Sequence, residues 1–250
     1  MVRAELSDAG LLNDALQSIS NIITEGVFQF SDDGVKLVAA DPAMVAMVDF
    51  ELEQEAFDTY ECDEPAKIGV NIEDLYSIVR RAGSNETVEL ELDQDASKLY
   101  VRMHNGSDRS FSLALLNLDE EDIPSTDDLD FSVAADVTTA VLDDAVGDAS
   151  VVGDAVTVRA DGDAITLAAE GDNSTVETTI RAGSDGLMEL DADGQVQSMF
   201  SLDYLNKMIK AKKLSDTTRL KLGDDFPMRL EFQVPDTLQL SYVLAPRIEE

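Results

Sequence analysis

Apolar positions along this chain keep two rhythms, and the switches between them outline its elements. Leu11, Leu12, Leu16, Ile19, Ile22 and Ile23 recur on one helical face, which predicts an amphipathic helix over residues 7–23 with Ser7 and Asp8 as possible caps. The period then falls to two: residues 27–30, a tight turn at Asp32-Asp33-Gly34, and residues 35–38 read as strand, turn and strand, with more short strands through 44–52. A second helix is predicted over 70–82, capped by Asn71 and closed by Gly83. Strands follow at 87–92, 98–103 and 110–116. Later in the chain Leu202, Leu205, Met208 and Ile209 return to helical spacing within 200–213, behind Ser201 as an N-cap. At 100° per residue Lys207 and Lys210 fall opposite that apolar face, while Lys212 and Lys213 sit at or past the helix end.

The second half of the chain repeats the first. Adding 130 carries Leu12 and Leu16 onto Leu142 and Val146, Val35 and Leu37 onto Ile165 and Leu167, and Phe50 onto Ile180. The same offset carries Val70 through Leu75 onto Phe200 through Leu205, and Leu90 and Leu92 onto Leu220 and Leu222. One offset held across helix, hairpin, helix and strand implies two domains of one fold. The strands are short, alternating and joined by turns, so each domain is expected to be α+β, two helices packed on a mainly antiparallel sheet. The boundaries fall at 1–116 for the first domain, 117–130 for a connector and 131–250 for the second. The connector is acidic and extended in character. Its apolar spots are Leu118, Ile123-Pro124 and Leu129, which either anchor the linker or form half of a binding surface.

Charge changes the picture next. Fifty-two acidic residues stand against 18 basic ones, for a formal net charge of -34. Self-repulsion on that scale is severe at ordinary ionic strength, whereas at about 1 M salt the Debye length is only ~3 Å. The composition suits a very salty cytoplasm; a nucleic-acid mimic or a cation binder is the competing reading of acidity alone. The N-terminus lacks the apolar core of a signal peptide, and no apolar run approaches the ~18 residues of a membrane span, so a soluble intracellular protein without membrane contact is expected.

Candidate chemistry is sparse. The single cysteine, Cys62, allows no internal disulfide or thiolate cluster, and the single histidine, His104, reads as a turn-flanking residue without identifiable partners for base catalysis. Gly-rich phosphate loops, a nucleophile elbow and a zinc-binding His pair are absent from the sequence. Asp191-Ala192-Asp193-Gly194 starts like a calcium loop, but its glycine comes too early and the closing glutamate is missing, so a hairpin turn is expected there. Neither metal nor cofactor is expected. Basic residues inform more because they are scarce: Arg80 and Arg81 end the second helix, and Arg80 maps onto Lys210 and Ser77 onto Lys207. Counting Lys212 and Lys213, six of 18 basic residues sit on or just beyond one helix and its repeat. Helix dipoles favour cations in the last turn, and a common polyanionic target would favour the same clustering.

The stretch Leu240-Ser-Tyr-Val-Leu-Ala-Pro-Arg-Ile-Glu-Glu250 resembles the C-terminus of the proliferating cell nuclear antigen family, the sliding clamps of archaea and eukaryotes. So do Gly34-Val-Lys-Leu with Asp41, Phe57-Asp-Thr-Tyr-Glu-Cys62, Gly69-Val-Asn-Ile72 and Tyr204-Leu-Asn. The resemblance runs essentially from end to end, and the acidity makes it similar to a clamp from a halophilic archaeon. It implies a non-catalytic ring of three identical subunits threaded by duplex DNA, with helices lining the hole, sheets outside, and polymerase and repair enzymes held to it. Twelve helices about 10 Å apart would close a circle of ~120 Å and leave roughly 28 Å clear, enough for a duplex with water around it.

By position, the resemblance implies DNA-facing roles for Arg80, Arg81, Lys207 and Lys210, with Lys212 and Lys213 nearby. Subunits would join through edge strands, Arg109, Phe111, Leu113 and Leu115 of one copy against Thr175, Val176, Thr178 and Ile180 of the next. A partner-peptide pocket maps to Ala40, Met44, Val45 and Met47, to Leu118, Ile123 and Pro124, and to Pro227, Val243, Ala245, Pro246, Arg247 and Ile248. The implied partners are a clamp loader, a replicative DNA polymerase, a flap endonuclease, a DNA ligase and other proteins whose peptide inserts a glutamine and apolar or aromatic anchors. Two departures stand out. The first helices carry Asp14, Asp143, Asp144 and Asp148 where the family usually has basic residues, and Met44 and Val243 replace a common histidine and tyrosine. Two other classes remain open from the residues: an acidic metal-dependent hydrolase, and a two-domain peptide adaptor that never closes a ring.

Overall fold

A computed structural model describes residues 1–83, 86–95, 97–118, 126 and 129–248. Up to residue 114 the elements are β1 (Val2–Leu6), α1 (Gly10–Ser20), β2 (Glu25–Ser31), β3 (Gly34–Ala40), β4 (Ala46–Glu53), β5 (Thr59–Cys62), β6 (Ala66–Asn71), α2 (Ile72–Val79), β7 (Thr87–Asp93), β8 (Lys98–His104) and β9 (Asp108–Ala114). After residue 130 come β10 (Val133–Thr138), α3 (Thr139–Val152), β11 (Ala155–Ala160), β12 (Ala164–Glu170), β13 (Thr175–Arg181), β14 (Leu187–Ala192), β15 (Val196–Ser201), α4 (Leu202–Met208), β16 (Thr217–Leu222), β17 (Met228–Val234) and β18 (Leu238–Leu244). Two compact units result. One comprises Met1–Asp41, Val48–Ile123 and Val234–Leu240; the other comprises Pro42–Met47, Pro124–Gln233 and Ser241–Glu250.

The repeat is written into the strand order. Hydrogen-bonded neighbours run β5, β1, β7, β8, β9 and β4, β3, β2, β6 in the first half, and β14, β10, β16, β17, β18 and β13, β12, β11, β15 in the second. Each strand occupies the place of its counterpart: β2 and β11, β3 and β12, β6 and β15, β7 and β16 all begin 130 residues apart. The cores correspond as well. Leu12, Leu16, Phe28, Leu75 and Leu90 converge on one apolar space, and Leu142, Val146, Val158, Leu205 and Leu220 converge on another. Helices and both strand runs contribute to each, which is how an amphipathic stripe and an alternating strand jointly exclude water. The turn at Gly34 needs glycine: its φ is 133°, and a Cβ would stand 2.2 Å from the Leu52 carbonyl oxygen.

Several ends differ from the sequence expectation. The first helix is Gly10–Ser20 rather than 7–23; Asp8 Oδ1 accepts from Gly10 N at 2.8 Å, whereas Ser7 donates its own backbone N–H to Asp58. Ile22 and Ile23 are buried just beyond the helix end, where both their amides still donate to the Ile19 carbonyl at 2.9 Å. Asn71 caps α2 as expected, accepting from Asp74 N at 2.9 Å. That helix ends at Val79 and not near Gly83, because the amides of Arg81 and Ala82 tighten onto Ile78 and Val79 and Gly83 N turns to Glu86 Oε2 at 2.6 Å. Ser201 holds the N-cap position of α4 without a side-chain cap bond, and Ile209–Lys213 continue as a 3-10 helix. The Asp191–Gly194 segment turns at Gly194 (φ 99°), yet it joins β14 to β15, which pair with β10 and β11 respectively. It is a turn between two strand runs and not a hairpin.

On the outward side of β7, Glu89 is buried between Arg3 (2.8 Å) and Arg102 (2.6 Å), and Arg102 also pairs with Glu91. Burial alone would raise the Glu89 carboxyl; the two arginine hydrogen bonds outweigh it and hold the group below the usual carboxylate range. In the repeat the signs are reversed. Arg219 and Lys221 take the places of Glu89 and Glu91, paired with Asp136 at 3.3 Å and Glu231 at 2.7 Å.

Candidate functional site

The sequence singles out three sets of residues, and the structure treats them differently. In the basic set, Arg80 and Arg81 are exposed just past α2. Neither guanidinium meets a carboxylate among the described residues: Arg80 lies over the Tyr76 ring at 5.6 Å, and Arg81 offers its carbonyl to Arg109 Nη2 at 3.1 Å. The lysines of the repeat are largely engaged. Lys207 pairs with Asp203, one turn earlier on α4, at 2.8 Å and covers the Tyr204 ring at 5.4 Å, with its side chain 41% exposed. Lys212 pairs with Asp143 of α3 at 2.6 Å. Lys210 and Lys213 are exposed along the 3-10 segment. Asp144 and Asp148 face solvent on α3, and Asp14 is half-buried on α1.

The second set clusters around the chain's last described residues. Within one unit, Ala245 N donates to the Val45 carbonyl at 2.9 Å and Arg247 N to the Met199 carbonyl at 2.7 Å. The tail is therefore held in extended form from both sides, and Arg247 is fixed further by Asp154 Oδ2 at 3.2 Å. Beside this strap Met44 takes φ 55° and is 55% exposed, Met47, Pro227, Ala245 and Pro246 are half-buried, and Val243 is buried. Ile248 projects at 89% exposure. Ala40 and Leu118 belong to the other unit, half-buried there; Leu116 N donates to the Gly69 carbonyl at 2.8 Å, and a Cβ at Gly69 would stand 3.0 Å from Leu118 Cγ. Ile123 and Pro124 lie outside the described residues. Sequence reasoning missed Met199 and Asp154, which hold the tail from 48 and 93 positions away, respectively; no local spacing signals such contacts.

The third set lies on strand edges. β9 ends one run and β13 ends another. Arg109, Phe111 and Leu113 alternate with exposed residues on β9, as Val176, Thr178 and Ile180 do on β13, where Thr175 opens the strand exposed. Leu115 lies just beyond β9, its amide donating to the Ser97 carbonyl at 3.0 Å. Arg109 turns back to Glu86 at 2.5 Å. The Gly83 amide and then Arg109 hold the Glu86 carboxyl below the usual carboxylate range. Among the described residues no group of three or more His, Cys, Asp or Glu side chains could hold a metal ion. His104 Nδ1 pairs with Asp108 across its turn at 2.9 Å. Burial, then the nearby Asp32, pushes the Cys62 thiol up, away from the reactive thiolate. No helix of the described residues is long and apolar enough to cross a membrane.

Comparison with known proteins adds to this geometry. Residues 1–122 match the family model described as "Proliferating cell nuclear antigen, N-terminal domain", and residues 125–247 match its C-terminal domain. The chain is 36% identical over 246 residues to a DNA polymerase sliding clamp of Halobacterium salinarum, covering 96% of each chain. It is 33% identical over 250 residues to that of Methanothermobacter thermautotrophicus, covering 100% of this chain and 99% of the relative. Among solved structures, a crystal structure of PCNA from Thermococcus kodakaraensis superposes with a TM-score of 0.90 at 26% identity, covering 99% of this chain and 100% of the other.

Proposed function

The chain belongs to the proliferating cell nuclear antigen family, and from that premise we propose that it is a DNA polymerase processivity factor, a sliding clamp that closes as a homotrimer around duplex DNA. Two open edges of unlike composition carry this reading: β9 and β13 each end their run. Joining unlike patches head to tail produces a closed ring when the rotation closes, which a self-complementary patch does not. Both edges alternate exposed with partly or fully buried side chains along the strand, a pattern suited to antiparallel strand addition. The domains are then 1–116 and 131–250 with the connector 117–130 between them.

The inner face is built from the four helices, with Arg80, Arg81 and Lys210 as the cations best placed to meet phosphate. The partner surface is the tail strap with Met44, Met47 and Val243. It takes the anchor peptides of a clamp loader, a replicative polymerase, a flap endonuclease, a ligase and other repair proteins, a few buried anchors supplying most of the binding energy. The protein performs no chemistry itself.

A formal charge of -34 points to work in a high-salt cytoplasm. About six phosphate contacts would lose ~10⁶ in affinity between roughly 0.15 M and 2 M salt, so retention on DNA there is topological. The test is mass in solution in 2 M potassium chloride, followed by loader-dependent retention on nicked circular and linear DNA. A particle of three times the 27.1 kDa chain mass, lost quickly from linear DNA and kept on circles, is the expected result. A monomer at every concentration would favour the peptide adaptor, and equal retention on both DNAs would refute the topological account.

A further inference from the structure

Arg181 ends β13 on the face opposite to the one that packs. Ile180 is buried beside α3: a Cβ at Gly186 would stand 3.1 Å from Ile180 Cγ2 and 3.3 Å from Val141 Cγ1. Side chains alternate along a strand, so Arg181 points away from that helix and from the face assigned above to DNA. Its neighbour across the ladder is Ala164 of β12, which offers no acid. Among the described residues no carboxylate meets its guanidinium. In a chain with 52 acidic residues, an exposed arginine without an ion partner at an open strand edge calls for one from outside.

The other open edge holds such an acid. Asp108 begins β9 with its side chain 89% exposed, held from one side by His104 Nδ1 at 2.9 Å. Both strands are seven residues long. Laid antiparallel in full overlap, they set Asp108 opposite Arg181, Ser110 opposite Thr179 and Ser112 opposite Glu177 on the solvent face. The packed face then matches Phe111 with Thr178 and Leu113 with Val176. Glu177 is already engaged by Arg159 at 3.6 Å and Arg109 by Glu86, so Asp108 and Arg181 are the charges these two strands leave for the joint. A slip of one residue would turn Phe111 and Leu113 to solvent. A slip of two leaves Arg181 diagonal to Asp108, about 7–8 Å away and within reach of a long side chain.

We propose that Arg181 of one copy pairs with Asp108 of the next, and that this pair selects head-to-tail joining over the self-complementary alternatives. The inference rests on the ring reading given above. A β9 edge laid antiparallel on a second β9 sets Asp108 opposite Ala114, and β13 on a second β13 sets Arg181 opposite Thr175, so either two-fold joint leaves its charge unmatched. The unlike joint matches both, and unlike joints are the ones that close into rings. Specificity is a difference between competing joints, so a pair of modest worth on a solvent face can still decide between them. The pair acts at low and moderate salt; at 2 M it is screened, and the packed face carries the joint.

The test uses the full-length protein at the lowest potassium chloride concentration where the wild type self-associates, with mass read by light scattering over a dilution series. Asp108→Arg and Arg181→Asp should each raise the concentration of half-association about tenfold, since each turns an attractive cross-strand pair into a repulsive one. Carried in one chain, the two substitutions restore opposite charges at every joint and should return the value to within about threefold of wild type. An equimolar mixture of the two single variants should fall between, because unlike chains meet with matched charges while a ring of three always keeps one joint between like chains. At 2 M salt the tenfold effects should shrink to less than about twofold. Should a reversal fail to fold, Asp108→Asn and Arg181→Gln carry the comparison, with a loss of about threefold each. Self-association that ignores both reversals, or a double variant or mixture no better than the single variants, would overturn the pairing while leaving the joint of β9 with β13 in place. A wild-type chain that stays monomeric at every concentration and salt would overturn the ring reading and this inference together.

Discussion

The ends of α2 and α4 occupy equivalent places in the repeat and carry charge of one sign, yet they hold it differently. Arg80 and Arg81 meet no carboxylate among the described residues, whereas Lys207 is tied to Asp203 at 2.8 Å and Lys212 to Asp143 at 2.6 Å. Guanidinium is weakly hydrated and can grip phosphate through two N–H groups at once; ammonium is a strongly hydrated point charge that a nearby carboxylate satisfies. Counting basic residues on a face therefore overstates the charge available to DNA. In a chain of net charge -34 the acid partners lie close at hand, so a cation remains available only where the local sequence withholds one.

The comparison first needs the two units to be alike beneath the surface, and that is where the largest effect is expected. Leu75 and Leu205 are buried equivalents in the two cores. Leu75→Ala and Leu205→Ala should each cost about 2–5 kcal/mol, from lost burial plus the cavity left behind. Denaturant unfolding at fixed high salt measures this. A large cost in one unit and almost none in the other would mean that the repeat is one of sequence pattern without shared energetics.

The core was the most legible part of the chain. Helical and strand periods share one offset, and buried positions must obey them because a displaced apolar side chain loses its packing partners. Local endings were less legible. Gly83 does not end α2, because Glu86 competes for its amide, and Ser201 makes no cap bond. Of the candidate sites, the edge strands were readable from alternation once the resemblance had marked them. The pairing of Lys212 with Asp143 spans 69 positions and that of Arg247 with Asp154 spans 93, and only the folded chain creates either. The Asp203–Lys207 pair, by contrast, is local: the two side chains reach each other across one turn at i,i+4 spacing.

An intermediate effect separates the two helix ends directly. Replacing Arg80 and Arg81 together by alanine should make the dependence of log K on log salt for duplex DNA shallower by ~1.8 for each subunit touching DNA, since each lost phosphate contact removes ~0.9. Replacing Lys207 and Lys210 together should change it by less than ~1, because Lys207 gives up a carboxylate partner in order to reach DNA. Anisotropy titrations of a labelled duplex across a salt series read both slopes. Equal slopes would remove the distinction between the helix ends, and loss of self-association on Lys207→Ala/Lys210→Ala would show that this face belongs to assembly and not to DNA.

The smallest effect tests the idea of withheld charge itself. Asp143→Asn leaves Lys212 without its ion partner and removes one negative charge from the α3 surface. Exposed ion pairs are worth roughly 0.2–1 kcal/mol, so releasing the lysine should tighten duplex binding by no more than about fivefold per engaged subunit. The gain should shrink as salt rises, because the pair that held Lys212 back and the phosphate that attracts it are screened together. Ser150→Ala on the same helix is the control, since it removes a hydroxyl that accepts from Asn206 and leaves every charge in place. If Asp143→Asn gains nothing over Ser150→Ala at the lowest salt the protein tolerates, Lys212 is not within reach of DNA. The acidic face of α3 would then act by repulsion alone, and the difference between the two helix ends would reduce to distance from the duplex.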